Sequence, residues 1–154
     1  MTEEERAIDA YNRGGEANAL RVEYFMKIMK AYDRFDFSEL FDDLADGCRW
    51  GGAHGKEDVI RSLKAGAESM RERDYRHSCT IVEVPQAFSP LTFSTAPEGT
   101  GKPVRAGLLY EPGEICMIDR TPLQKLFFRM RLSPDGKILD FYATLPPANY
   151  RPVY

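Results

Sequence analysis

The sequence is short of positive charge, of long apolar runs and of histidine, and the first two shortages each remove a class of function. Its 21 Lys and Arg face 24 Asp and Glu, a formal net charge of −3, which leaves no electrostatic footprint for nucleic acid or an anionic membrane. No apolar run approaches the roughly 20 residues that a membrane-spanning helix needs. The start, "MTEEERAIDAY", lacks the basic and then apolar segments of a signal peptide, and cysteines read as reduced make a cytoplasmic location the expectation. The 3 cysteines, Cys48, Cys79 and Cys116, are odd in number, widely spaced and without a C-x-x-C pair. That argues against a disulfide framework and a zinc site, and each is expected as a reduced, half-buried strand residue. There is no nucleotide-binding glycine loop, metal-ligand cluster or internal repeat, so neither cofactor nor metal is expected.

What is present suffices for a single domain. The chain has 154 residues, 43% of them hydrophobic, enough to bury a real core. Residues 2–12 read as a short acidic helix within an N-terminal extension over 1–16, ended by Gly14–Gly15. A longer helix is expected over about 17–34, where Leu20, Tyr24, Phe25, Ile28, Met29 and Tyr32 recur at spacings of three to five, one buried stripe. Asp36 and Glu39 form a D-x-x-E pattern, an N-cap and return acceptor for a second helix over about 37–45. "GCRWGG" reads as a short strand. "GKEDVIRSLKAGAESMRER" restarts a helix, with Glu57 and Asp58 in its first turn and Val59, Ile60, Leu63, Ala67 and Met70 on one face.

From residue 76 onward the texture is that of strands. "HSCTIVEV" is β-branched and partly alternating, and "VRAGLLYE" and "EICMID" are further candidates. Between them, residues 85–103 carry prolines and glycines and read as an irregular or edge-strand excursion. "LQKLFFRMRL" alternates, with Leu126, Phe128, Met130 and Leu132 on one face and Lys125, Phe127, Arg129 and Arg131 on the other. "SPDGK" is a turn, and "ILDFYATL" closes the sheet. Helices followed by mainly antiparallel strands predict an α+β fold, a curved sheet wrapped around helices with a ligand cavity at its mouth.

This order, with "CRWGG", "HGKEDVIRSL" starting the third helix and "DGKILDF" entering the last strand, resembles the NTF2-like (SnoaL-like) superfamily over residues 17–146. The resemblance implies a cone-shaped α+β fold with a small-molecule pocket, and activities ranging from isomerase and cyclase to dehydratase, alongside non-catalytic binding and scaffold domains. The ketosteroid isomerase pattern within that superfamily fails, because its acid and base positions fall near Ile28, Gly52 and Phe128. The scytalone dehydratase family is similar in places. Its Tyr-Asp pair matches Tyr32–Asp33 in "AYDRFD", and its histidine early on the second strand matches His77 in "RHSCTI". Its second pocket tyrosine falls near Gly52, and its second histidine has no counterpart unless Tyr110 or Asp119 replaces it.

Tyr32 lies within the stripe on an ideal wheel of ~100° per residue, and Asp33 just past its edge. His77, one of 2 histidines, is suited to take and return a proton, with Asp33 fixing its tautomer and Tyr32 stabilising enolate charge. The alternatives stay open: Asp33 as a solvated turn residue, His77 as a strand histidine bonded to a carbonyl. The expected ligand is small and apolar or aromatic, lined by Tyr24, Trp50, His54, Tyr110, Phe128 and Met130, although core packing is the preferred reading for Tyr24 and Trp50, and a loop position before a helix start for His54, with the pocket rim as its alternative. Phe127 between two arginines on the outer face fits two readings equally: a homodimer through the sheet, as the resemblance to the superfamily implies, or an ordinary solvated face.

Overall fold

Helix α1 (Glu3–Asn12) is opened by a capping box. The Thr2 hydroxyl accepts from the Glu5 N–H at 3.1 Å, and the Glu5 carboxylate accepts from the Thr2 N–H at 2.9 Å. A turn over Arg13 and Gly14 leads into α2 (Gly15–Arg34), two residues earlier than the apolar stripe predicts. The computed structural model describes residues 1–75, 77–83, 104–105, 115–120 and 125–144. Within them follow a 3-10 turn (Ser38–Asp43), β1 (Leu44–Trp50), β2 (Ala53–His54), α3 (Lys56–Arg73), β3 (Cys79–Glu83), β4 (Val104–Arg105), β5 (Ile115–Arg120), β6 (Lys125–Leu132) and β7 (Ile138–Thr144). The whole of the 85–103 excursion, most of "VRAGLLYE" and the residues after Thr144 lie outside the described residues. No described helix is long and apolar enough to cross a membrane.

The fold is α+β, with an open mixed sheet in the order β2-β1-β7-β6-β5-β3-β4. The β1–β7 and β3–β4 pairs are parallel and the others antiparallel. Direct partners share a face, so the register sorts the sheet. Ile81, Met117, Met130 and Phe141 face α2, whose Phe25 ring lies 6.5 Å from that of Phe141, and these residues form the core with Phe25, Ile28 and Leu63. Fully burying a side chain of this size stabilises by about 1.5–3 kcal/mol.

The predicted stripe of α2 is buried or half-buried throughout, and Arg21 lies in it, 3% exposed. Its Nε donates to Met130 O at 2.9 Å, one Nη donates to Asn12 O at 3.1 Å and Asn18 Oδ1 at 2.5 Å, and the other Nη donates to Asn12 Oδ1. Asn12 in turn treats β6 as a neighbouring strand would. Its Nδ2 donates to Leu132 O at 2.8 Å, and its Oδ1 accepts from the Leu132 N–H at 3.0 Å. Helix α1 buries no residue of its own, so this amide is its polar fastening to the sheet.

Two expectations are corrected here. The helix expected over 37–45 is a short 3-10 turn, because Asp36 Oδ1 accepts from the N–H of Ser38, two residues on, at 2.9 Å. That local turn takes the carboxylate a capping box needs, and Leu44, 2% exposed, opens β1 instead. Phe127 does face away from the helices beside Ile118, but both are fully buried in the single chain, so Phe127 is not an exposed apolar contact for a second copy.

The Tyr24 hydroxyl donates to Gly136 O, pinning the β6–β7 turn, where Gly136 has φ +81°. Burial first, then the nearby carboxylate of Asp43, pushes the Tyr24 phenol up to about 12. Its folded value lies above its unfolded one, so its contribution is complete below pH ~10 and is lost as pH rises towards 12. Tyr24→Phe is expected to lower stability at pH 7 by about 1–2 kcal/mol and to remove this part of the alkaline fall, as urea titrations at several pH values will read.

Candidate functional site

Cross-strand register builds the site. Cys79 of β3 lies opposite Asp119 of β5, and His77, two residues before Cys79, falls on the same face and diagonal to Asp119. Nδ1 of His77 and Oδ2 of Asp119 are hydrogen-bonded. The Asp119 side chain is 1% exposed and that of His77 16%. A carboxylate buried this deeply needs a partner to hold its charge, and among the described residues only His77 supplies one, since Asp119 Oδ1 has none. With Nδ1 engaged, Nε2 is the nitrogen left for chemistry.

Two tyrosines flank the imidazole, each delivered by the end of a helix. Tyr32, in the last turn of α2, stacks on His77 with centroids 4.3 Å apart and planes at 18°. Tyr75, just beyond α3, meets it nearly perpendicular, at 5.1 Å and 78°. Burial, with smaller contributions from Cys79 and Asp119, pushes the Tyr32 phenol far above its usual value, so it stays protonated and can only act as a neutral donor or acceptor.

From Tyr32 an aromatic wall continues across the inner face. Phe37 packs edge-on to Tyr32 at 5.3 Å and lies 6.5 Å from Trp50. Trp50 stacks on Phe141 at 4.1 Å, and Phe141 on Phe128 at 5.1 Å. Burial along this face is incomplete at the Asp119 end. Leu126, opposite Asp119, and Phe128 are only half-buried, and Ala143, opposite Phe128, is exposed.

The structure brings together part of the expected set. His77, Tyr32, Trp50 and Phe128 belong to this wall. Asp33 does not supply the carboxylate at Nδ1 of His77. It is exposed on α2, one position past the buried stripe, and Asp119 takes that place. Tyr24 has its hydroxyl committed to Gly136, and Met130, 3% exposed, is core. His54 is exposed in β2, at the sheet edge opposite β3, and lines an open outer cleft of about 590 Å³ with Asp46, Lys56 and Arg61. That cleft touches none of the His77 group, so His54 is not at the rim of this site. Tyr110 lies outside the described residues.

Asp119 had a signal in the sequence: it is the only charged residue of the otherwise apolar "ICMID", and a carboxylate ending a buried strand must meet a partner. Among the described residues, no three His, Cys, Asp or Glu side chains converge as a metal-ion site. No known family model matches the chain, and no curated protein matches it.

Proposed function

We propose that this chain is an NTF2-like cone that binds a small aromatic or cyclic carbonyl compound and moves a proton on it, by dehydration, isomerisation or cyclisation. The observation that carries the reading is a buried carboxylate holding an imidazole that stacks on a phenol kept protonated by burial. His77 Nε2 takes the proton from the carbon next to the carbonyl, and Asp119 stabilises the imidazolium that forms. Tyr32 donates to the oxygen on which enolate charge develops. The same nitrogen then returns the proton to a departing hydroxyl in dehydration, to another carbon of the ring in isomerisation, or, in cyclisation, to the oxygen of a second carbonyl that the enolate carbon has attacked, so each step balances with that proton alone. A positioned general base of this kind contributes about 10²–10⁴-fold.

The test is a thermal-shift screen of aromatic acids and cyclic ketones, since a ligand that binds the native state raises its melting temperature. The expected result is a raised midpoint with at least one compound, and its conversion on incubation. Binding without conversion by the parent protein leaves a carrier and overturns the catalytic reading. No shift with any compound overturns the pocket itself.

A further inference from the structure

We infer that Arg71 is a positioning residue for this site: by joining the end of α3 to the end of α2, it fixes the slot between Tyr75 and Tyr32 in which His77 is held. Both helices stop in the same way. Phe35 (φ 54°) and Asp74 (φ 47°) adopt the left-handed conformation, which L-residues enter at about 1–2 kcal/mol. Each is followed by a six-to-one hydrogen bond, Asp36 N–H to Ala31 O at 3.0 Å and Tyr75 N–H to Met70 O at 2.9 Å.

Arg71 takes part in both ends. Its carbonyl accepts from the Asp74 N–H at 3.2 Å, inside the turn that aims Tyr75. Its guanidinium donates to Phe35 O at 2.7 Å, on the turn that ends the helix carrying Tyr32. A non-glycine residue at positive φ persists when its surroundings hold it, and Phe35 is held by its ring, 7% exposed, and by this carbonyl bond. A cation placed between two helix C-termini is favoured by both dipoles. Asp36, next in chain, has its carboxyl held below the usual range first by hydrogen bonds from Ser38 and more weakly by Arg71 and Arg34, which places the guanidinium charge at the same corner.

The inference rests on the acid–base reading only for its consequence in turnover; the geometry is tested without a substrate, so the two can fail separately. The chain has 2 histidines, and in carbon-edited NMR spectra His54 is an internal reference. Stacking on Tyr32 shifts the His77 ring protons upfield by ring current. Arg71→Met keeps the aliphatic stem and helix propensity but removes the donor. The expected result is loss of most of that upfield displacement with His54 unmoved, and partial recovery in Arg71→Lys, whose ammonium reaches the same carbonyl. An unshifted His77 in Arg71→Met overturns the inference whatever happens to the melting temperature, and so does an equal displacement in both variants.

Discussion

Asn12→Ala is expected to destabilise the protein by about 3 kcal/mol, a fall of roughly 6–12 °C in melting temperature for a chain of this size. Two sets of buried groups lose their partner at once. The Leu132 N–H and C=O lose the amide that pairs with both, and the Arg21 guanidinium, 3% exposed, loses the Asn12 Oδ1 acceptor. An unsatisfied buried donor costs its full desolvation, and more when it is charged. Asn12→Asp is the informative comparison. It keeps the acceptor for Arg21 and for the Leu132 N–H and loses only the donor, so its loss is expected to be smaller. Arg13→Ala, one residue on, removes an exposed pair with Asp9 at 3.3 Å and is expected within about 0.5 kcal/mol of the parent. Urea unfolding with an unchanged slope measures all three. An Asn12→Ala protein as stable as Arg13→Ala shows that α1 is not fastened in this way.

What could be read from the sequence follows the two periods of secondary structure. The 3.6-residue stripe located α2 and α3, and strict alternation placed Phe128 and Met130 on one face of β6 and Phe127 on the other. Periodicity says which way a side chain points from its own element, not what it meets. The His77–Asp119 bond joins residues 42 apart in the chain, and only the β3–β5 register puts them together. The wheel did place Asp33 at the edge of the stripe, and a position at the edge faces water here. Arg21 escaped for a related reason. A cation in an apolar stripe looks like a break in the pattern until the Asn12 amide and the Met130 carbonyl arrive from other elements. Leu126, Phe128 and Ala143 each read as ordinary strand residues. Their incomplete burial could not be read from alternation, and neither could the helix ends, which are set by the left-handed turns at Phe35 and Asp74, neither of them a glycine that would announce a stop.

On a compound the protein converts, His77→Ala is expected to lower kcat by about 10²–10⁴-fold with KM little changed, because Nε2 acts in the transition state rather than in binding. Asp119→Asn should approach the same loss. It keeps the shape of the side chain, but removes the charge that stabilises an imidazolium and allows the wrong tautomer. Tyr32→Phe preserves the ring stacked 4.3 Å from His77 and deletes only the donor to the developing oxyanion, an expected loss of about 10²–10³ in kcat. Asp119→Ala is a poorer probe, since emptying a site 1% exposed perturbs folding as well. The decisive contrast is with Asp33→Asn. Asp33 is exposed on α2, and its replacement is expected to change kcat less than about threefold, the scale of an outer charge. Equal losses in Asp33→Asn and Asp119→Asn show that the proton does not run through the buried pair. A large loss in Asp119→Asn alone, in steady-state kinetics across pH, fixes Asp119 as the carboxylate that orients the base.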